Sequence, residues 1–272
     1  MKRFLIFVLI TLLIPINANA KRYKVNDTVE NNFFINKKTK FELPEGKWII
    51  AERINKSIAG IKVKKFTLLR IKNNELLEGI SIFEWNTSSL TDIRYKNLVD
   101  EVISKALFKD RANSCNERQE YSILKFYSKG STHNCLWVGH YDLFEHIYKT
   151  EVFYIYPSVS DIRTERHKLK VWLKKNKISI PKVGLYSEHS YFSRLKLGKW
   201  YGLTHIVNPK ILNAPVNKFI SVDSSEYHRN NIDMHPTYRE IMNKWISISL
   251  QRHKNFENSI KTLEAHKLDL SF

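Results

Sequence analysis

Residues 60–85, GIKVKKFTLLRIKNNELLEGISIFEW, decide the fold class of this 272-residue chain. Two runs rich in β-branched and aromatic residues, 60–70 and 76–85, flank Lys72-Asn73-Asn74-Glu75. Asn tolerates positive φ better than most residues, so the stretch reads as a β-hairpin with a tight turn, the unit of an antiparallel sheet.

Working outward, the neighbours repeat the pattern. Pro44-Glu45-Gly46 is a turn signal, and the run from Trp48 to residue 54 reads as a strand entering the hairpin. Downstream, Ser89-Leu90-Thr91-Asp92 offers capping side chains, and Leu98, Val99, Val102, Ile103 and Ala106 recur at helical spacing, so a helix is expected over 92–108. Strands are expected over 121–127, 136–144 and 151–156, then a helix from Ser160 or Asp161 to 175. The runs 185–194 and 199–207 form another hairpin. Thr237-Tyr238-Arg239-Glu240 is a capping box opening a terminal helix to about residue 265, with Tyr238, Ile241, Met242, Trp245, Ile248, Ser249, Phe256 and Ile260 on one stripe.

The expected fold is therefore α+β: mostly antiparallel strands in successive hairpins, covered by about three helices and fastened by one disulfide. Residues 41–272 carry it, as one domain or as two sub-domains dividing near 157–184. Residues 21–40 are polar, rich in Asn and Lys, and read as a flexible leader that Phe33, Phe34 and Ile35 can pin to a neighbour.

The first 20 residues read as a secretory signal peptide: Lys2 and Arg3, an apolar run over 4–14, and Ala18-Asn19-Ala20 as the cleavage pattern. The expected address is secreted or periplasmic, after cleavage near Ala20. In such an oxidising compartment the only two cysteines, Cys115 and Cys135, are expected to bridge. Closing that loop contributes on the order of 3 kcal/mol. The competing reading makes one cysteine a nucleophile, with His133 or His140 as its base.

Charge points to a class of partner. The chain holds 45 Lys and Arg against 27 Asp and Glu, a formal +18. Without Lys2 and Arg3 the count is 43 against 27, or +16. That sign favours an anionic polymer or a membrane surface, although the excess of Lys, Asn and Ile is also what an AT-rich genome supplies. The 160–175 helix concentrates the cations: Arg163, Arg166, Lys168, Lys170, Lys174 and Lys175 lie opposite Ile162, Leu169, Trp172 and Leu173. The leading expectation is a non-enzymatic envelope or extracellular module that binds through Arg163, Arg166, Lys170, Lys174 and Lys175.

Two alternatives stand beside it. If Arg194 pairs with Lys199, Glu188 falls beside His205, and a carboxylate beside an imidazole makes a general acid or base. With His189 nearby and His228 in the 223–235 loop, this is a hydrolase reading. The third reading is a structural partner protein that presents Trp245 and Ile248 of the terminal helix. No G-x-x-x-x-G-K-[ST], G-x-G-x-x-G, H-E-x-x-H, G-x-S-x-G or C-x-x-C occurs, so no nucleotide cofactor, metal site or other cofactor is expected.

Overall fold

The computed structural model describes residues 23–37, 39–58, 61–86, 121–128, 132–148, 160–193, 199–215 and 220–268. The stretch quoted first is the hairpin its residues predict. β5 (Ile61–Lys72) and β6 (Glu75–Asn86) pair antiparallel around a turn with Asn73 at φ 52° and Asn74 at φ 58°. Positive φ at both central residues is type I′ geometry, whose twist matches that of the flanking strands.

Six further strands complete the main sheet: β1 (Thr28–Val29), β4 (Trp48–Ile58), β7 (Tyr121–Ser128), β8 (Thr132–Asp142), β9 (Val183–Ser193) and β10 (Lys199–Val207). Their order is β1-β4-β5-β6-β10-β9-β8-β7, with every neighbouring pair antiparallel. The seam between β6 and β10 joins strands from both sides of the 157–184 stretch, so the two halves share one sheet. Among the described residues three α-helices accompany it: α1 (Leu143–Tyr148), α2 (Ser160–Lys175) and α3 (Pro236–Leu268). The α+β class is thus plain. The expected 92–108 helix, the 151–156 strand and Cys115 lie outside the described residues.

Because side chains alternate along a strand, the sheet has two faces with different covers. On one face Leu68, Ile80, Ile82 and Tyr201 pack against Phe33 and Phe41 of the N-terminal segment and Phe256 and Ile260 of α3. Leu136, Val138 and Val207 extend this layer toward Ile241, Met242 and Trp245. On the other face Leu69 and Ile206 meet Leu143 of α1 and Leu169, Trp172 and Leu173 of α2. At Gly202 a Cβ would fall 1.8 Å from the Phe83 ring, so a cross-strand aromatic occupies the room of a side chain.

Two expectations change here. The leader is docked from residue 23 onward: β2 (Asn32–Phe34) and β3 (Lys40–Glu42) form a small hairpin, with Phe33 at 0% and Phe41 at 2% exposure. Its few apolar residues, too sparse to show a period, are nevertheless the lid of the core. The terminal stripe is spent on the chain's own sheet, since Trp245 is 1% exposed and its indole N–H donates to the Tyr186 carbonyl at 3.0 Å. Trp245 is thus buried, and Ile248 is half-buried against the same cluster.

Candidate functional site

The β9–β10 register decides the fate of the proposed dyad. The strands pair as Lys199↔Ser193, Thr204↔Glu188 and His205↔Ser187. The connection runs over 194–198 instead of 195–198, which shifts the register by one residue. Such a slip sends every side chain of one strand to the other face. Glu188 therefore does not meet His205: it lies cross-strand from Trp137 and accepts from the Tyr141 hydroxyl at 3.4 Å. His189 and His205 share the α3-covered face, and the sheet and helix build a different polar constellation around them.

Its first part centres on Glu78, which takes an inward position on β6 between the flanking strands. Glu78 Oε1 accepts from Arg70 Nη2 at 2.5 Å and Oε2 lies 3.1 Å from His205 Nε2. Arg252, from α3, brings Nη1 to 3.1 Å from the same imidazole nitrogen and stacks its guanidinium 5.5 Å from the centre of the Trp245 ring. His205 Nδ1 is buried without a hydrogen-bond partner. Nε2 thus faces a carboxylate acceptor and a guanidinium donor at the same distance, and a neutral imidazole nitrogen serves one of them at a time, donating to Glu78 or accepting from Arg252. Burial raises the Glu78 carboxyl above its usual range against the opposing pull of Arg70 and Arg252. Burial also holds the Arg252 guanidinium down to about 10, against the pull of Glu78, and it stays charged at neutral pH.

The second part is a directed chain of hydrogen bonds. Asn134 Nδ2 donates to Glu257 Oε1, which leaves Asn134 Oδ1 to accept from His253 Nε2 at 2.9 Å. His253 Nδ1 is then a bare lone pair and accepts from His189 Nδ1 at 3.2 Å. His189 Nε2 in turn accepts from the Ser187 hydroxyl at 3.0 Å. Each direction follows from the one before because a neutral imidazole carries one N–H and one acceptor. Burial, with His253 and Arg252 beside it, holds His189 well below the usual imidazole range.

These groups are chemically capable but enclosed. Ser187, His205 and His253 are 0% exposed and His189 is 1%. An imidazole performs acid–base catalysis only within hydrogen-bond reach of a substrate proton, so the closed arrangement is that of a polar clasp between α3 and the sheet. His228 of the 223–235 loop lies elsewhere on this face, its ring centre 6.4 Å from that of His140. Among the described residues no group of three His, Cys, Asp or Glu side chains is placed to hold a metal ion.

Sequence reasoning missed Glu78, Arg252, His253 and Asn134. A signal was present: Glu78 holds the inward phase set by Ile80 and Ile82, and Arg252 and His253 fall within the stripe running from Trp245 through Ser249 to Phe256. Charged residues in an apolar phase announce a buried network.

The cationic site is on the opposite side of the molecule. α2 sends Leu169, Trp172 and Leu173 into the core, and the Trp172 indole donates to Asn26 Oδ1 at 2.8 Å. Its outer side exposes Lys168, Lys174 and Lys175, with Lys170 half-buried. Arg163 and Arg166 belong to the helix, but their side chains lie outside the described residues. The helix ends in a Schellman motif: Lys177 N–H donates to the Lys174 carbonyl and Ile178 N–H to the Leu173 carbonyl, each at 3.0 Å. Lys177 holds the left-handed position at φ 53°, where glycine is usual.

A lysine there costs about 1 kcal/mol of backbone strain and adds an exposed cation next to Lys174 and Lys175. Lys177→Gly should therefore raise unfolding free energy by about 0.5–1 kcal/mol in urea titrations while weakening retention on an anionic resin. Loss of stability, or unchanged retention, would contradict this.

The chain matches no protein-family model, no curated protein and no solved structure.

Proposed function

We propose that this protein is an exported, non-enzymatic module that binds an anionic polymer or surface through the outer side of α2. The observation that carries the reading is the division of labour on that helix. Its apolar side is buried in the core while Lys168, Lys174 and Lys175 stand exposed, and Lys177 continues the cations past the last turn. Lysines at a helix C-terminus also complement its dipole, so the charge sits there without straining the helix. The enclosed state of His189, His205 and His253 favours binding over hydrolysis, because those imidazoles have a structural task.

Export is part of the proposal and rests on the cationic, apolar and small-residue pattern of residues 1–20. Among the described residues no helix is long and apolar enough to cross a membrane. The Cys115–Cys135 bridge belongs here too: Cys135 is 0% exposed on β8, and among the described residues no cysteine is free. The intact mass of the non-reduced protein should be lower than that of the reduced form by two hydrogens. Equal masses would remove the bridge.

Heparin affinity chromatography across a salt series tests the binding reading. Exposed charges separated by more than about 8 Å are screened at physiological ionic strength, so affinity should fall steeply as salt rises. Retention that is absent at low salt, or indifferent to salt, would end it.

A further inference from the structure

The helical layer around α2 carries more than charge, and this bears on which anionic partner it meets. We infer that the partner is an anionic phospholipid surface, with α2 lying along it and Val171 and Phe144 entering the headgroup region. This rests on the reading that α2 is the binding element and narrows it to one kind of surface.

The argument begins with Val171. It is 46% exposed, and residues three and four positions away on a helix are its surface neighbours, so Lys168, Lys174 and Lys175 surround it. A soluble, highly hydrated polyanion gains nothing from an apolar side chain at the centre of its cationic binding face. A lipid surface does, since apolar side chains bury in the headgroup and acyl boundary while flanking lysines pair with phosphates and extend their stems along the interface.

Phe144 makes the feature a surface rather than a point. It is 48% exposed on α1, which packs beside α2 through Leu143 and Ile147. Lys182 is exposed next to it, its carbonyl accepting the Leu143 N–H at 2.7 Å. Val25, 41% exposed, precedes Asn26, which holds the Trp172 indole at the edge of α2. Three of the large hydrophobic residues exposed among the described residues therefore border one cationic helix. Acidic residues of the layer include Glu145, exposed on α1, and Asp142, whose carboxylate accepts the Glu145 N–H at 2.8 Å, together with Asp161 and Glu165 of α2, whose side chains lie outside the described residues.

The test uses protein recovered after export, mixed with sedimentable vesicles of phosphatidylcholine alone or with phosphatidylglycerol, and run in parallel on heparin. The expected result is binding to the phosphatidylglycerol vesicles only. Val171→Ser combined with Phe144→Ser should weaken that binding about tenfold, with heparin elution unchanged and a melting temperature at or above that of the parent. If the substituted protein binds vesicles as the parent does, or if heparin is bound and vesicles are not, the lipid inference fails while the α2 reading stands. If neither heparin nor vesicles are bound, both fail. Should the double substitution disturb folding, Val171→Asp alone, on the solvent side of α2, reads the same contact.

Discussion

Glu78→Ala should lower the unfolding free energy by about 3–5 kcal/mol, because it leaves two buried or half-buried arginines without their carboxylate. Glu78 is 4% exposed and receives Arg70, His205 and the electrostatic pull of Arg252. Removing it strands two cations, Arg70 of β5 and Arg252 of α3, and takes a partner from the His205 imidazole of β10, so the loss is expected across the whole fold. For a chain of this size that corresponds to a drop of roughly 10 °C in melting temperature by differential scanning calorimetry. The effect is non-additive: combining Glu78→Ala with Arg252→Met should cost less than the sum of the two, since the second change removes one of the stranded charges. Additive losses would mean that Glu78 and Arg252 do not act as a pair.

The protein should also lose stability as pH falls below neutrality. His189 is held well below its usual value of 6.5 in the fold, so it stays neutral while its unfolded counterpart takes up a proton. Through the window from 6.5 down to the folded value, this one histidine subtracts about 1.4 kcal/mol per pH unit. Protonating the pair in place offers no escape. His253 Nδ1 would have to carry a proton facing the His189 N–H at 3.2 Å, with Arg252 adding a like charge on the helix side.

The other groups facing the pair do not reverse the outcome. Asn134 relays only to Glu257, Ser187 donates to His189, and His205 is already engaged with Glu78. Glu78 itself works in the opposite direction: its raised pKa lets the folded state take a proton before the unfolded state does, which offsets part of the slope above 4.5. Urea titrations between pH 7 and pH 5 should show falling stability, and His189→Gln should flatten the dependence. An unchanged slope in that variant would place the acid sensitivity elsewhere.

How much of this was readable beforehand varies element by element. Asn73 and Asn74 declared a positive-φ turn, and the long alternating runs on either side left little choice but a hairpin. The terminal helix was equally plain from its stripe, but not its cap: the helix opens at Pro236, the His235 carbonyl takes the first i→i−4 bond from Arg239 N–H, and Thr237 lies inside the first turn. The β9–β10 register was not, because the glycine-bearing connection fits four or five residues equally well, and only tertiary packing chooses. α1 was hidden because Leu143 and Phe144 continue the apolar run of β8, and a six-residue helix has too few turns to show its period. The clasp of His189, His253, Asn134 and Glu257 converges from three elements, β8, β9 and α3, which no local spacing can announce.

What remains to be weighed is whether α2 or net charge alone attracts an anionic partner. A chain at +18 binds polyanions weakly wherever its lysines lie, whereas a built site depends on particular ones. The direct measurement compares two charge reversals of equal size: Lys174→Glu with Lys175→Glu on α2, and Lys244→Glu with Lys254→Glu on the exposed side of α3, across the sheet. Heparin elution and vesicle binding are read for both. The α2 pair should reduce binding at least tenfold while the α3 pair leaves it within about twofold of the parent. Equal losses from the two pairs would show that bulk charge does the binding and that α2 is not a site.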